Sequence, residues 1–105
     1  MNPERTNGGP LSELTIRDVR SEQGFSKLKV RIEPRGDLVL DGSDLGHATG
    51  FVGAEGRDYD HTVTVRADWR NTVLLRLMAE RFTGTSKFRD WCKSHGIPAD
   101  FDTWP

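Results

Sequence analysis

The apolar positions of this chain follow two periods in succession, first of two residues and then of three to four. From Lys27 to Glu33, Leu28, Val30 and Ile32 alternate with Lys27, Lys29, Arg31 and Glu33. Such alternation predicts a strand with one buried face. Pro34-Arg35-Gly36-Asp37 carries turn chemistry, because proline presets φ and glycine admits positive φ. Leu38 to Asp41 then predicts the return strand of a hairpin. Upstream, residues 13–20 begin a similar alternation at Leu14-Thr15-Ile16 that slips at Asp18-Val19, which predicts an earlier strand with a bulge. Downstream, Tyr59, His61, Val63 and Val65 share one parity and predict a fourth strand over residues 60–66.

The period then lengthens. Trp69, Val73, Leu74, Leu77, Met78 and Phe82 recur at spacings of three and four, which predicts an amphipathic helix capped by Asp68 and ended by Thr83-Gly84. Burial of those six side chains would make this helix the largest donor to the core, at roughly 1.5–3 kcal/mol each. A shorter helix starts near Ser86, presents Phe88, Trp91 and Cys92, and closes at His95-Gly96, with Gly96 as the left-handed residue and Pro98 beyond it. Strands followed by helices predict an α+β fold: two layers, an antiparallel sheet of about four strands followed by two C-terminal helices packed on one face. Leu, Ile, Val and Phe total 24 residues, enough for a thin core. Residues 1–12 have little to bury and predict a flexible N-terminal tail, leaving 13–105 as a single α+β domain. Phe101 and Trp104 are expected to pack back on it.

Between the third and fourth strands lies Asp41 to His61, DGSDLGHATGFVGAEGRDYDH, which reads as a long Gly- and acid-rich loop. Long connections in small domains are usually functional or disordered. Charge is segregated around it: residues 37–68 carry a net −5 and residues 69–95 a net +4, within a total of −1. Local fields of this kind steer partners more than the total does. The single cysteine, Cys92, excludes an internal disulfide, and no apolar run approaches the ~20 residues of a membrane span. No signal peptide is evident, so a cytoplasmic location and no membrane partner are expected. Eleven arginines against four lysines is the bias of GC-rich codons and points to a high-GC bacterium.

Conventional chemistry finds little to hold. Arg35-Gly36-Asp37 spells an integrin tripeptide but reads as a hairpin turn. The glycines of residues 50–56 run into a strand, not a helix N-terminus with Lys and Ser or Thr, so no phosphate loop is expected. Asp41, Asp44, Asp58 and Asp60 lack the spacing of a calcium loop. Cys92 and His95 make one pair where structural zinc needs four ligands, and His47 and His61 stand apart from them. Cys92 lies on an apolar helix face rather than at an exposed turn beside a base. No catalytic residue, metal or cofactor is therefore expected. Arg70, Arg76 and Arg81 define an alternative, basic face on the first helix for nucleic acid.

Three fragments carry a resemblance: Leu38-Val39-Leu40-Asp41-Gly42-Ser43-Asp44-Leu45-Gly46, Thr62 to Asp68, and Phe88-Arg89-Asp90-Trp91-Cys92 ahead of Gly96-Ile97-Pro98. The chain resembles small actinobacterial α+β proteins with the layout strand, D-G-x-D-L-G, strand, two helices, G-I-P and an aromatic tail. By fold and charge it is also similar to the immunity proteins of toxin systems. That likeness implies a non-enzymatic protein-binding module: an intracellular inhibitor that engages a basic partner through the acidic loop. Asp44, Glu55, Asp58 and Asp60 would supply the field, with Phe51 and Tyr59 as aromatic anchors. The alternatives are a nucleic-acid-associated protein using the helical face, and an enzyme or small-molecule binder with a site under the loop, lined by Asp60 and His61.

Overall fold

The computed structural model describes residues 9–46 and 58–102. Four strands, β1 (Glu13–Ser21), β2 (Gly24–Ile32), β3 (Leu38–Gly46) and β4 (Asp58–Val65), precede two helices, α1 (Ala67–Arg81) and α2 (Thr85–Ser94). The strands form one antiparallel sheet in the order β1-β2-β3-β4. The class is α+β, as the change of period predicts. Pro10–Asn71 form one compact unit, and a second contains the chain from Thr72 onward.

Three strands are nine residues long, and β3 is the notable extension. Asp41-Gly42-Ser43-Asp44-Leu45-Gly46, expected to open the loop, instead continues the strand and pairs with β2 and β4. Glycine and aspartate disfavour strands only mildly, and two neighbouring ladders override that preference. The connection to β4 therefore spans residues 47–57 rather than the whole of 41–61, and those residues lie outside the described chain. A bulge is present in the first strand as expected, but as a register shift between Thr15 and Arg17, ahead of the Asp18-Val19 slip read from the sequence. Of the expected tail, residues 1–8 lie outside the described chain, whereas the carbonyl of Ser12 accepts the Ile32 amide at 2.8 Å.

Register sorts the sheet into two faces, because successive side chains alternate. One face carries an apolar row from edge to edge: Leu14 opposite Val30, Val30 opposite Leu40, Leu40 opposite Val63. The other is laced by polar cross-strand pairs. Lys29 Nζ lies 3.2 Å from Glu13 Oε2, Arg31 binds Asp41 and Glu33, and Thr62 Oγ1 donates to Asp41 Oδ1 at 2.7 Å. Such pairs each contribute roughly 0.2–1 kcal/mol.

The β2–β3 turn forms at Pro34–Asp37 as expected, with Gly36 at φ +102°. Its aspartate does more than turn the chain. Asp37 is 4% exposed, and its Oδ1 accepts the Ala67 amide at 2.9 Å, so it caps α1 from thirty residues away. Asp68, the cap expected from sequence, sits inside the first turn instead. Arg70 Nη1 adds a bond to the Gly36 carbonyl at 3.0 Å. No residue of α1 is buried: Val73 and Met78 are half-buried, as is Phe82 just past its end, and Trp69, Leu74, Leu75 and Leu77 are exposed. The adjacent Leu74 and Leu75 lie about 100° apart, which widens the apolar surface beyond one stripe.

Within the second unit, Phe82, Phe88 and Trp91 pack edge-on and stacked at centroid distances of 5.1–6.3 Å. Cys92 is 3% exposed beside them in sequence. α2 ends as predicted, with Gly96 at φ +70°. The Ile97 amide reaches the Cys92 carbonyl at 2.9 Å, and the Gly96 amide reaches that of Lys93 at 3.2 Å, the paired bonds of a Schellman stop. Arg89 stacks over Phe101 at 4.1 Å.

Candidate functional site

Polar residues interrupt the apolar face of the sheet at one end, and all four strands contribute. Register places Arg17 opposite Leu28, Val19 opposite Ser26, Ser26 opposite Asp44, and Gly42 opposite His61. Arg17 Nε donates to Ser26 Oγ at 3.1 Å, and His61 Nε2 lies 3.2 Å from Asp44 Oδ2. Ser26 is fully buried, Asp44 is 5% exposed, and His61 is partly open. Gly42 makes the cluster possible, since a Cβ there would fall 2.1 Å from His61 Cε1. The imidazole therefore lies across a strand position that only glycine leaves clear.

The Ser26 hydroxyl, then His61 and the Arg17 charge, hold the Asp44 carboxyl below the usual carboxylate range against the opposing effect of burial. Its Oδ1 is buried with no hydrogen-bond partner among the described residues. The residue types of a hydrolytic triad are thus assembled, but in the wrong order. Asp44 stands between hydroxyl and imidazole, whereas acyl transfer requires the imidazole to sit between serine and carboxylate. The arrangement is that of an anchored carboxylate. Among the described residues, no group of three or more His, Cys, Asp or Glu side chains is placed to hold a metal.

The residues expected to form the acidic site divide between the two faces. Asp44 belongs to the cluster just described, while Asp60 is exposed on the opposite face and accepts Ser43 Oγ at 2.8 Å. Asp58 and Tyr59 open β4, paired through their backbones with Leu45 and Asp44. Phe51 and Glu55, and the glycine-rich run of residues 50–56, lie outside the described residues. His61 and Asp60, as consecutive strand residues, face opposite sides and do not line a common pocket. The four aspartates considered for a cation do not converge either, because Asp41 and Asp44 occupy opposite faces and Asp41 is already engaged by Thr62 and Arg31.

On the basic side, Arg76 and Arg81 are exposed but point about 140° apart around α1. Arg70 is engaged with the Gly36 carbonyl, and Arg81 stacks on Phe82 at 5.1 Å. Arg76 and Arg81 therefore do not share one stripe. Cys92 is buried, and His95 Nδ1 turns to the Trp91 carbonyl at 2.9 Å. Arg35-Gly36-Asp37 is engaged as well, with Asp37 turned inward to cap α1. The sequence singled out neither Arg17 nor Ser26, and the one local signal for the cluster was Gly42, a glycine set within strand-like alternation.

No protein-family model, curated protein or solved structure matches the chain. Among the described residues, no helix is long and apolar enough to cross a membrane. What the molecule can do rests on its own geometry: an anchored carboxylate on one face, and on the other the exposed Asp60 of β4, which ends the sheet among the described residues.

Proposed function

We propose that the protein is a non-enzymatic binding module, an inhibitor of the immunity type that takes a basic protein partner inside a bacterial cell. The observation that carries this reading is the composition of β4, the edge strand of the sheet among the described residues. Asp60, Thr62 and Thr64 share one face of it, Asp58 and Tyr59 open it, and neither lysine nor arginine occurs within the strand. Asp60 is exposed and accepts a hydrogen bond from the Ser43 hydroxyl at 2.8 Å. A surface of that sign at a sheet edge attracts basic clefts and orients them before contact. Tyr59, and Phe51 in the preceding connection, are the aromatic anchors of the proposed surface. The buried Asp44 contributes by fixing the end of β3 from which that connection leaves.

The test is affinity capture of the tagged chain from its native lysate at low and high salt, beside a variant with Asp58, Tyr59 and Asp60 replaced by alanine. A stoichiometric basic protein, released by salt and lost from the variant, is the expected result. Equal capture by the variant and the wild type would refute the assignment of this surface.

A further inference from the structure

The outer edge of β1 offers a pairing surface with its own logic. β1 ends the sheet, and among the described residues no strand pairs with its outer side. Eight of its nine residues are exposed, among them Leu14 at 53%, Ile16 at 54% and Val19 at 42%. Long edge strands with unpaired backbone groups are templates for further pairing, and proteins usually blunt them with charged side chains, β-bulges, inward-pointing charges or a covering segment. Here the charges are arranged differently. In chain order Glu13, Arg17, Asp18 and Arg20 alternate in sign, so that reversing the strand sets the acid at one end against the base at the other.

We infer that β1 pairs antiparallel with β1 of a second copy of this chain, giving a continuous eight-stranded sheet. The bulge selects the register. Before it, Leu14 lies on the apolar face and Glu13 and Thr15 on the polar face; after it, Val19 lies on the apolar face and Asp18 and Arg20 on the polar one. The register shift between Thr15 and Arg17 thus inverts the parity halfway along the strand. A two-fold axis between Ile16 and Arg17 is then the arrangement in which facing residues share a face. It sets Glu13 against Arg20 of the partner subunit, Leu14 against Val19 of the partner subunit, and Thr15 against Asp18 of the partner subunit, each pair occurring twice.

Three of the four pairs are complementary, an ion pair, an apolar pair and a hydroxyl facing a carboxylate, and the central one sets Ile16 against Arg17 of the partner subunit. The two Arg17 side chains approach the axis, but each guanidinium is drawn back over its own sheet by Ser26 Oγ at 3.1 Å. The apolar row Leu14–Val30–Leu40–Val63 would run on into its symmetry copy, as an isologous interface requires. Registers of even residue sum instead oppose Leu14 to Arg20, apolar face against polar face.

Edge pairing over eight of the nine strand residues is smaller than a standard interface, so a dissociation constant of micromolar order is expected. Light scattering of the full chain across roughly 1–200 μM should show the mass doubling and then holding constant. Glu13→Arg and Arg20→Glu each place like charges opposite one another twice, and each should weaken the dimer by about tenfold or more. The double swap restores both pairs and should restore the dimer, while circular dichroism checks that each variant remains folded. A monomer throughout the range overturns the inference. So does a mass that keeps rising, which would signal head-to-tail pairing of β1 with β4, or a dimer indifferent to the single swaps.

Discussion

Replacing Gly42 with alanine tests the assembly of the polar cluster most directly. Gly42 pairs with Leu28 on one side and His61 on the other. A Cβ at this position would lie 2.1 Å from His61 Cε1 and 2.7–2.8 Å from the ring nitrogens, where ordinary contact begins near 3.4 Å. The ring must retreat by more than 1 Å, and Nε2 now sits 3.2 Å from Asp44 Oδ2. Their hydrogen bond is lost, leaving a buried carboxylate with one partner fewer. A hydrogen bond to a charged group contributes about 1.5–3 kcal/mol. Alanine returns about 0.5–1 kcal/mol, because glycine in a strand is entropically costly. The expected net effect is a destabilisation of about 1–2 kcal/mol.

The sign should reverse once the imidazole is gone. In a His61→Ala background the three atoms nearest the new methyl are gone, and Gly42→Ala should stabilise by about 0.5–1 kcal/mol. Urea midpoints of the wild type, the two single variants and the double variant close the cycle and isolate the coupling. If Gly42→Ala costs the same with and without His61, the ring does not lie over Gly42 and the described cluster is wrong.

Two further outcomes follow from the buried aspartates. Asp44 is held below the usual carboxylate range, first by Ser26 and then by His61 and Arg17, so around pH 4 the unfolded chain binds the proton more readily than the folded one. Its contribution to stability is full above the unfolded value and lost as pH falls through the folded one. Asp44→Asn should therefore flatten the drop in urea midpoint between about pH 5 and pH 2, and an unchanged slope would contradict that assignment. Asp37→Ala removes the acceptor of the Ala67 amide, so hydrogen exchange at Ala67 should quicken. Asp37→Asn keeps an oxygen in place and should exchange more slowly than Asp37→Ala, whereas equal rates would remove Asp37 as the cap.

The strands were legible because alternation survives in isolated sequence, and the helix stop at Gly96 because a left-handed residue leaves a local mark. What could not be read was anything set by register. Arg17, Ser26, Asp44 and His61 are brought together only after three ladders have been aligned, and Asp37 becomes a cap only when the chain returns thirty residues later. The acidic segment shows the consequence for function. Counting charges along residues 37–68 gives −5, as though one surface carried them all. In the folded sheet Asp37 turns in to cap a helix, Asp41 is matched by Arg31, and Asp44 is buried against Ser26 and His61. Three of the seven acids are thereby spent on the fold itself. A basic partner would meet chiefly those on β4 and in the connection before it, so neutralising Asp58 and Asp60 should weaken capture far more than their share of the segment's charge suggests.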